Sequence, residues 1–240
     1  MKWESADPVG AFLTAWKDGD RMETEVLVSY IPLYRDALLL TLRIGWQGVL
    51  LAFLFGLVCT LVRQLKIPVL GGLVTVYVEL LRNTPLLVQL FFLYFALPKI
   101  GIRMSPELCG SLGLGLLGGA YMAETFRSGL ENIAPIQEES ALSLGMTQGQ
   151  AFRYVILPQA VTHSMPGIVA NVIFLLKETS VFSVISLMDL MFTAKDLIGM
   201  YADTVECLTL LVVFYLIMLL PVSLIGTYLE RRMRYAEFGH

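Results

Sequence analysis

The sequence predicts an all-α polytopic membrane protein with five membrane-spanning helices. Of its 240 residues, 56% are hydrophobic and only 15% are charged, whereas about a quarter of the residues in an ordinary soluble domain are charged. The mean hydropathy is +0.70. The apolar residues gather in stretches of about 20 residues, which is the length that an α-helix needs to cross a bilayer core. This composition leaves little sequence from which a second, soluble domain could form.

A hydrophilic segment, residues 1–36, precedes the first predicted span. Asp7 followed by Pro8 is a typical helix start, and Val9 and Trp16 share one helical face. We therefore expect a short amphipathic helix in this segment. The acidic side chains around it argue against attraction to anionic lipid. Contact with the membrane surface and contact with a partner chain remain alternatives.

The predicted membrane domain covers residues 37–232, and a short tail follows over residues 233–240. Pro68 and the Gly71-Gly72 pair predict the turn between the first two spans, because proline and glycine favour turns. A further proline, Pro221, lies inside the last span. The five spans are expected at about residues 37–62, 73–97, 107–127, 166–190 and 208–229.

Two pairs of opposite charges lie at or inside the membrane edge, in the second and third predicted spans. Glu79 with Arg82, and Glu124 with Arg127, have i, i+3 spacing, so each pair shares a helix face and can partly self-neutralise. The uncharged runs beside them are too short to cross the bilayer core alone. Charges at such depth usually face a partner, a water path or a ligand. One interpretation is an ion-pair cluster that ties two helices together, and the other is an inner gate or substrate contact.

The polar run Lys177-Glu178-Thr179 interrupts the fourth predicted span. Adjacent helical residues point about 100° apart, so Lys177 and Glu178 cannot neutralise each other and also share one hidden face. A polar break at mid-depth is typical of helices that line transport paths. We weigh a role in a pathway or subunit interface against an internal salt bridge to another span.

Small residues recur at every fourth position of the third predicted span. Such a ridge allows another helix to approach closely, and close approach is how helices associate in lipid. A packing role explains these residues better than a ligand site does. The ridge comprises Ser111, Gly115, Gly119 and Ala123.

A polar stretch at residues 138–158 interrupts the apolar sequence and predicts a helix, a turn and a second helix. Good helix formers precede Gly145, which stands where a helix end favours positive φ. Thr147 and Gln150 have the spacing of a capping box. Pro158 is expected to end the second helix just before it. These local features alone leave a surface loop that rests on the membrane as an equal alternative.

A spaced set of residues runs through this polar stretch and comprises Glu139, Ala141, Gly145, Leu157 and Pro158. Their spacing resembles the cytoplasmic loop signature of ABC-importer permeases: Glu-Ala-Ala, three residues, Gly, nine residues, Ile-x-Leu-Pro. Ser140 and Val155 are mild replacements within that signature. Pro135-Ile136-Gln137 departs from the Gly-Gln that the family tends to carry before the loop.

Phrases elsewhere in the chain are similar to those of the polar amino acid branch of this family (histidine, glutamine, glutamate or arginine type). The resemblance covers about residues 30–232 and implies a type I ABC importer permease fold with a cytoplasmic coupling loop at about residues 131–158. It adds Leu144 to the coupling-loop residues, and it adds Gln89 to the charged residues that are candidates for a substrate path or gate. The phrases lie at residues 79–89, 121–127, 157–160 and 177–180.

The resemblance also implies the partners and the cellular setting. It implies a bacterial inner-membrane subunit that works with a second permease, a cytoplasmic ABC ATPase dimer and an extracytoplasmic amino-acid-binding protein. Residues 1–36 would then be extracytoplasmic and the C-terminus cytoplasmic. ATP and Mg²⁺ would bind to the ATPase, so we expect no cofactor on this chain. The amino acid carried, and whether the two permeases are identical, stay open.

Several sequence features argue against other functional classes. No G-x-x-x-x-G-K-[S/T] phosphate-binding loop is present, so the chain is not expected to bind or hydrolyse ATP. Neither a catalytic constellation nor metal-ligand spacing is present, and Cys59, Cys109 and Cys207 fit small packing residues. No basic run is long enough for nucleic acid. The remaining alternative to the importer subunit is an ATP-independent secondary carrier or channel, although carriers often show paired repeats that this sequence lacks.

Overall fold

The computed structural model describes residues 24–65 and 67–238, and nearly all of them are helical. The predicted all-α class is therefore confirmed for this part of the chain. Two π-helical turns, Phe92–Ala96 and Phe152–Ile156, and two 3₁₀ segments, Leu97–Ile100 and Thr179–Ile185, extend α-helices. The α-helices are α1 (Thr24–Gln64), α2 (Pro68–Arg82), α3 (Leu86–Phe91), α4 (Pro106–Glu131), α5 (Pro135–Ser143), α6 (Gln148–Ala151), α7 (Leu157–Glu178), α8 (Leu190–Tyr201) and α9 (Thr204–Phe238).

Three helical segments in the described part of the chain are long and apolar enough to cross a membrane: Glu25–Gln64, Gln148–Ile185 and Thr204–Met233. A bent pair, α2 with α3 and its extension, makes a fourth if it counts as one span. The 26 residues of α4 reach about 39 Å at 1.5 Å per residue. Helix α4 is less apolar because it contains many glycines. The number of five spans therefore stays a prediction.

The first helix begins at Thr24 rather than near residue 37. Its early turns have tertiary support, because the Tyr34 hydroxyl donates to the Cys207 carbonyl at 2.7 Å. The Tyr30 hydroxyl donates to Asp203 Oδ2 at 2.6 Å. Both bonds connect α1 to the start of α9. Their partners lie 173 positions apart in the sequence, so local sequence patterns do not predict this contact. The amphipathic helix expected near residues 8–16 lies outside the described residues.

The second predicted span, residues 73–97, is broken rather than continuous. Helix α2 ends at Arg82, and the chain turns by 105° before α3. Pro85 is the physical reason, because a proline pushes the preceding residue out of the α region. The side chain of Gln89 supports the break, since its Nε2 donates to the carbonyls of Leu81 and Thr84 at 3.1 and 3.0 Å.

The second predicted helix of the polar stretch does not end before Pro158, so that prediction is wrong. Helical structure continues from Gln148 to Ile185. The π turn Phe152–Ile156 precedes Pro158, which occupies an N-terminal position of α7. A proline is tolerated there because its missing N–H would otherwise have no partner in the new helix. Helix α8 was not predicted, and the Asp189 carboxylate caps it by accepting from the Phe192 N–H at 2.9 Å.

Helix α4 lies at the centre of the fold and contacts neighbours on several sides. A Cβ atom added at Gly115 would lie 2.6 Å from Leu51 Cβ of α1, and one at Gly118 would lie 2.5 Å from Leu175 Cδ1 of α7. Real Cβ contacts below 3.0 Å are essentially absent, so a larger residue at either position would force a neighbouring helix or side chain to shift. Close backbone approach of this kind is a common mode of helix association in lipid.

Candidate functional site

The loop between α4 and α7 forms the first candidate site, and its turn has the geometry of a Schellman motif. The Met146 N–H donates to the Ala141 carbonyl at 3.2 Å, and the Gly145 N–H donates to the Leu142 carbonyl at 2.9 Å. Gly145 has φ of +85°, which confirms the positive φ predicted there. These bonds satisfy carbonyls that the end of α5 leaves free. The turn is therefore fixed by its own backbone.

The second half of this loop starts with the capping box that the sequence predicts. The Thr147 N–H donates to Gln150 Oε1 at 2.9 Å, and the Gln150 N–H donates to Thr147 Oγ1 at 3.4 Å. The reciprocal bonds satisfy two N–H groups at the start of α6. Ala141 and Ala151 are buried, so the two short helices have an inner, packed side.

The outer side of the loop carries most of the predicted coupling residues. Leu144 is 81% exposed, the largest exposure among the large apolar side chains of the described residues. Glu139, Gly145, Leu157 and Pro158 are also exposed. Of the predicted coupling residues, only Ala141 faces inward. A projecting leucine on a locally fixed turn can seat in an apolar pocket of a partner.

Glu124 forms the centre of an ion-pair hub at the ends of three helices. Arg63 Nη1 donates to Glu124 Oε1 at 2.6 Å, and Arg127 Nη2 donates to Glu124 Oε2 at 2.8 Å. Arg82 Nη1 lies farther away, 3.9 Å from Glu124 Oε2. Arg127 also pairs with Glu131. Three guanidinium groups thus surround two carboxylates, which leaves one positive charge in excess.

The hub differs from the predicted pairing at one residue. Glu79 was expected to neutralise Arg82, but its carboxylate is exposed and pairs with neither Arg82 nor Arg127 among residues 24–65 and 67–238. Its described partner is the Asn83 amide, at 3.2 Å. Arg82 turns instead toward α4, where its guanidinium lies 5.3 Å from the centre of the Tyr121 ring. Glu79 therefore lies outside the hub.

A cleft of about 380 Å³ forms the second candidate site, between the break after α2 and the end of α7. Arg82 and Glu178, charges of opposite sign, both line it. Tyr121 and Phe174 contribute aromatic rings whose centres lie 5.3 Å apart. The remaining lining residues are Asn83, Thr84, Pro85, Leu86, Leu87, Leu117 and Val181.

The other predicted pathway residues have different positions. Thr179 is fully buried, and its hydroxyl donates to the Leu176 carbonyl at 2.7 Å, so it stabilises its own helix. Gln89 supports the helix break. Lys177 is exposed and is not among the residues that line the cleft. Of the predicted pathway residues, the structure thus brings only Arg82 and Glu178 together in the cleft, with Glu124 and Arg127 in the hub behind Arg82.

The predicted small-residue ridge lies against α1. A Cβ atom at Gly119 would lie 2.6 Å from Phe55 Cβ, and Gly115 lies equally close to Leu51. Ser111 and Ala123 are buried.

Sequence reasoning missed Arg63 and Tyr121. Arg63 has no local signal. Tyr121 begins one of the phrases that are similar to the family, but its contact with Arg82 arises only from the packing of α2 against α4.

The chain matches one family model and a set of curated relatives. The model described as binding-protein-dependent transport system inner membrane component matches residues 48–235. A probable glutamine ABC transporter permease protein GlnP of Bacillus subtilis is 39% identical over 70% of this chain and 77% of the relative. The glutamine transport system permease protein GlnP of Escherichia coli K12 is 32% identical over 85% of this chain and 94% of the relative.

Solved structures have the same fold. The crystal structure of an amino acid ABC transporter with histidines has a TM-score of 0.83 and 33% sequence identity, and the match covers 88% of this chain and 99% of that one. An inward-facing form of the MetNI methionine ABC transporter has a TM-score of 0.72 at 17% identity, with the same coverage of both chains. The second likeness concerns the fold alone.

Proposed function

The chain belongs to the family of binding-protein-dependent transport system inner membrane components, and from this premise we propose that it is the transmembrane subunit of an ATP-driven importer for a polar amino acid. Relatives named as glutamine and amino acid permeases support the substrate class. An extracytoplasmic binding protein would deliver the amino acid, and a separate cytoplasmic ATPase dimer would hydrolyse ATP with Mg²⁺. This chain would bind no cofactor itself.

The observation that carries this proposal is the exposed, locally fixed loop at residues 138–158. It lies between α4 and α7, and both helices contribute residues to the cleft. A partner that seats on Leu144 and Glu139 could therefore move both walls of the cleft at once. The loop would face the cytoplasm, and with five spans the N-terminus would then lie outside and the C-terminus inside.

The cleft would hold the amino acid in transit. Its Arg82 guanidinium would bind the substrate carboxylate, because the hub leaves one positive charge in excess and Arg82 is its most loosely held member. Glu178 would accept from the substrate ammonium. A zwitterion would then meet one charge of each sign, and the aromatic rings of Tyr121 and Phe174 would pack against its side chain.

Reconstitution into liposomes with the ATPase and binding protein tests the importer. We expect ATP-dependent uptake, and we expect Glu139→Lys and Leu144→Glu to reduce co-purification of the ATPase without loss of membrane insertion. Ser143→Ala, on the same short helix, is the matched control. Uptake that is independent of ATP and indifferent to the loop variants would favour the secondary carrier instead.

Initial-rate uptake at several substrate concentrations tests the cleft. Loss of a charge-assisted hydrogen bond costs about 1.5–3 kcal/mol, so Arg82→Gln and Glu178→Gln should each raise the KM for uptake by about ten-fold or more. Arg103→Gln, which removes an exposed charge outside the cleft, is the control. Unchanged KM in both cleft variants would remove these residues from the path.

A further inference from the structure

Lys177 presents a charge at the middle depth of the helices. The pairing of α7 with α4 sets this depth, because Leu175 lies against Gly118 and α4 runs from Pro106 to Glu131. A hydrocarbon core about 30 Å thick puts its edge about 15 Å from this level, and the lipid phosphates lie beyond that edge. A lysine stem is too short to reach them by snorkelling. A bare charge there would cost roughly 2.5–3.5 kcal/mol on insertion scales.

Residues 24–65 and 67–238 offer no ion-pair partner for this ammonium. Lys177 is exposed, and none of the ion pairs among the described residues involves it. Glu178 points about 100° away around the helix and lines the cleft. Glu124 is already shared among three arginines. None of the described carboxylates pairs with Lys177, and a neighbouring chain in the membrane can supply the neutralising group.

The surface beside Lys177 suits the approach of another helix. Pro166 and Ala170 lie on the same side of α7, at helical spacing, and both are exposed. Small residues permit close helix contact in lipid. The two sides of α7 that flank this face are occupied, because Gly167 contacts Thr125 of α4 and Val169 contacts Gly226 of α9.

We propose that the Lys177 ammonium pairs with Glu178 of a second copy of this chain, and that Glu178 pairs in return with Lys177 of that copy. In a two-fold symmetric dimer, the same surface patch of both copies forms the interface. A contact between residue 177 of one copy and residue 178 of the other is therefore made twice. Glu178 suits this role because it lies only about 1.5 Å farther along the helix axis than Lys177. The two pairs cancel all the charge at this level. This inference rests on the proposed function, together with the second permease chain that the family resemblance implies.

The arrangement would also complete the cleft. Glu178 lines the cleft from α7, so Lys177 of the second copy would close its open side. A substrate ammonium would then compete with that lysine for the Glu178 carboxylate. Release of the interfacial ion pair would accompany binding of the amino acid.

Charge reversal on the intact complex with its ATPase tests the pairing. Lys177→Glu and Glu178→Lys should each lower the fraction of complexes with two permease copies by about ten-fold, because like charges then meet in lipid. The double variant Lys177→Glu/Glu178→Lys should restore that fraction to within about two-fold, although uptake stays impaired. Native mass spectrometry counts the copies. Lys195→Glu, at an exposed site on α8, should have no effect.

Thiol cross-linking keeps the test decisive if a reversed charge prevents insertion. A direct disulfide is too short to replace a Lys–Glu pair, so one tagged copy with Lys177→Cys and another with Glu178→Cys should be joined by a bifunctional thiol reagent as long as that pair, whereas Lys195→Cys with Glu178→Cys should not. Absence of the cross-link, or a wild-type copy number in Lys177→Glu, would overturn the pairing. Raised KM with unchanged copy number in Lys177→Met would assign Lys177 to the substrate instead. ATP-dependent uptake by the unaltered complex tests the proposed function separately.

Discussion

The loop at residues 138–158 and the hub around Glu124 are both polar regions of an apolar protein, yet they are held in different ways. The bonds that fix the loop join residues that are close in sequence, such as Met146 to Ala141 and Thr147 to Gln150. The shortest bond to Glu124, at 2.6 Å, comes from Arg63, which lies 61 positions away in the sequence. The loop can therefore keep its shape while the helices move, whereas the hub depends on how three helices pack.

A seam between α4 and α7 connects these two regions. The Asn171 amide donates to Thr125 Oγ1 at 2.8 Å. Ser164 Oγ donates to the Thr125 carbonyl at 3.4 Å, and Gly129 lies directly against Ser164. Because α4 enters the loop and α7 leaves it, we expect the two helices to move as one body. The seam would transmit a displacement of the loop to the cleft.

The largest expected effect comes from breaking the hub. Glu124→Gln leaves Arg63 and Arg127 without their shared carboxylate in a setting where the Glu124 side chain is only 19% exposed. Removing one partner of a fully buried ion pair typically costs about 3–5 kcal/mol, and the partial exposure of the hub arginines places Glu124→Gln at the lower end of that range. We expect a much lower yield of folded permease and a lower melting temperature, measured by thermal unfolding of the purified complex.

The matched control removes the other carboxylate that Arg127 contacts. Glu131 is 61% exposed, and exposed pairs contribute about 0–1 kcal/mol. Glu131→Gln should therefore unfold close to the wild-type temperature. Equal effects of the two variants would show that Glu124 is not the centre of the hub.

An intermediate effect is expected from the seam. A Cβ atom at Gly129 would collide with the Ser164 hydroxyl and lie 2.8 Å from the Ala160 carbonyl. Gly129→Ala should lower the free energy of unfolding by about 1–3 kcal/mol, and it should reduce uptake more than ATPase binding. The double variant Gly129→Ala/Ser164→Ala should recover part of this loss, because it removes the hydroxyl that the added methyl group meets. Gly199→Ala, where the added atom meets open space, is the control in the same unfolding measurement.

The smallest expected effect comes from the cap of the loop. Thr147→Ala removes a side-chain acceptor from the start of α6, and loss of an N-cap costs about 1 kcal/mol. We expect normal insertion, an unchanged hub and a modest loss of stimulated ATP hydrolysis. Hydrogen exchange should increase at residues 147–151 and stay unchanged around Glu124. Increased exchange at both regions would contradict the local character of the loop.

The loop was predictable because its signals are local. Gly145 and the Thr147–Gln150 box determine the turn through bonds that span at most a few residues, and both predictions are confirmed. Pro158 misled the prediction, because a helix end and a helix start after a π turn have the same sequence signature. Only the hydrogen bonds of residues 152–156 distinguish the two.

The cleft and the hub were predictable only in part. The i, i+3 pair Glu124 and Arg127 could be found from spacing, and it is an ion pair. The same rule wrongly paired Glu79 with Arg82. In the packed structure the Arg82 guanidinium lies instead against the Glu124 carboxylate and the Tyr121 ring of α4. Arg63 had no sequence signal. Contacts between distant helices decide this region, and a single sequence does not encode them in a readable pattern.

The central claim, that a stiff loop couples ATP hydrolysis to transport, is tested most directly by two glycines of that loop. Gly145 and Gly149 both have open space around them, but only Gly145 has a positive φ, +85°. Gly145→Val forces a β-branched residue into a region that costs roughly 1–3 kcal/mol, which would re-aim α5 without unfolding the membrane helices.

The measurement is the stimulation of ATP hydrolysis by the loaded binding protein in liposomes. We predict that Gly145→Val inserts normally but loses at least about nine-tenths of the stimulation. A tenfold loss of rate corresponds to an activation free energy that is higher by about 1.4 kcal/mol. Gly149→Val should retain the stimulation. Full stimulation by Gly145→Val would contradict the account.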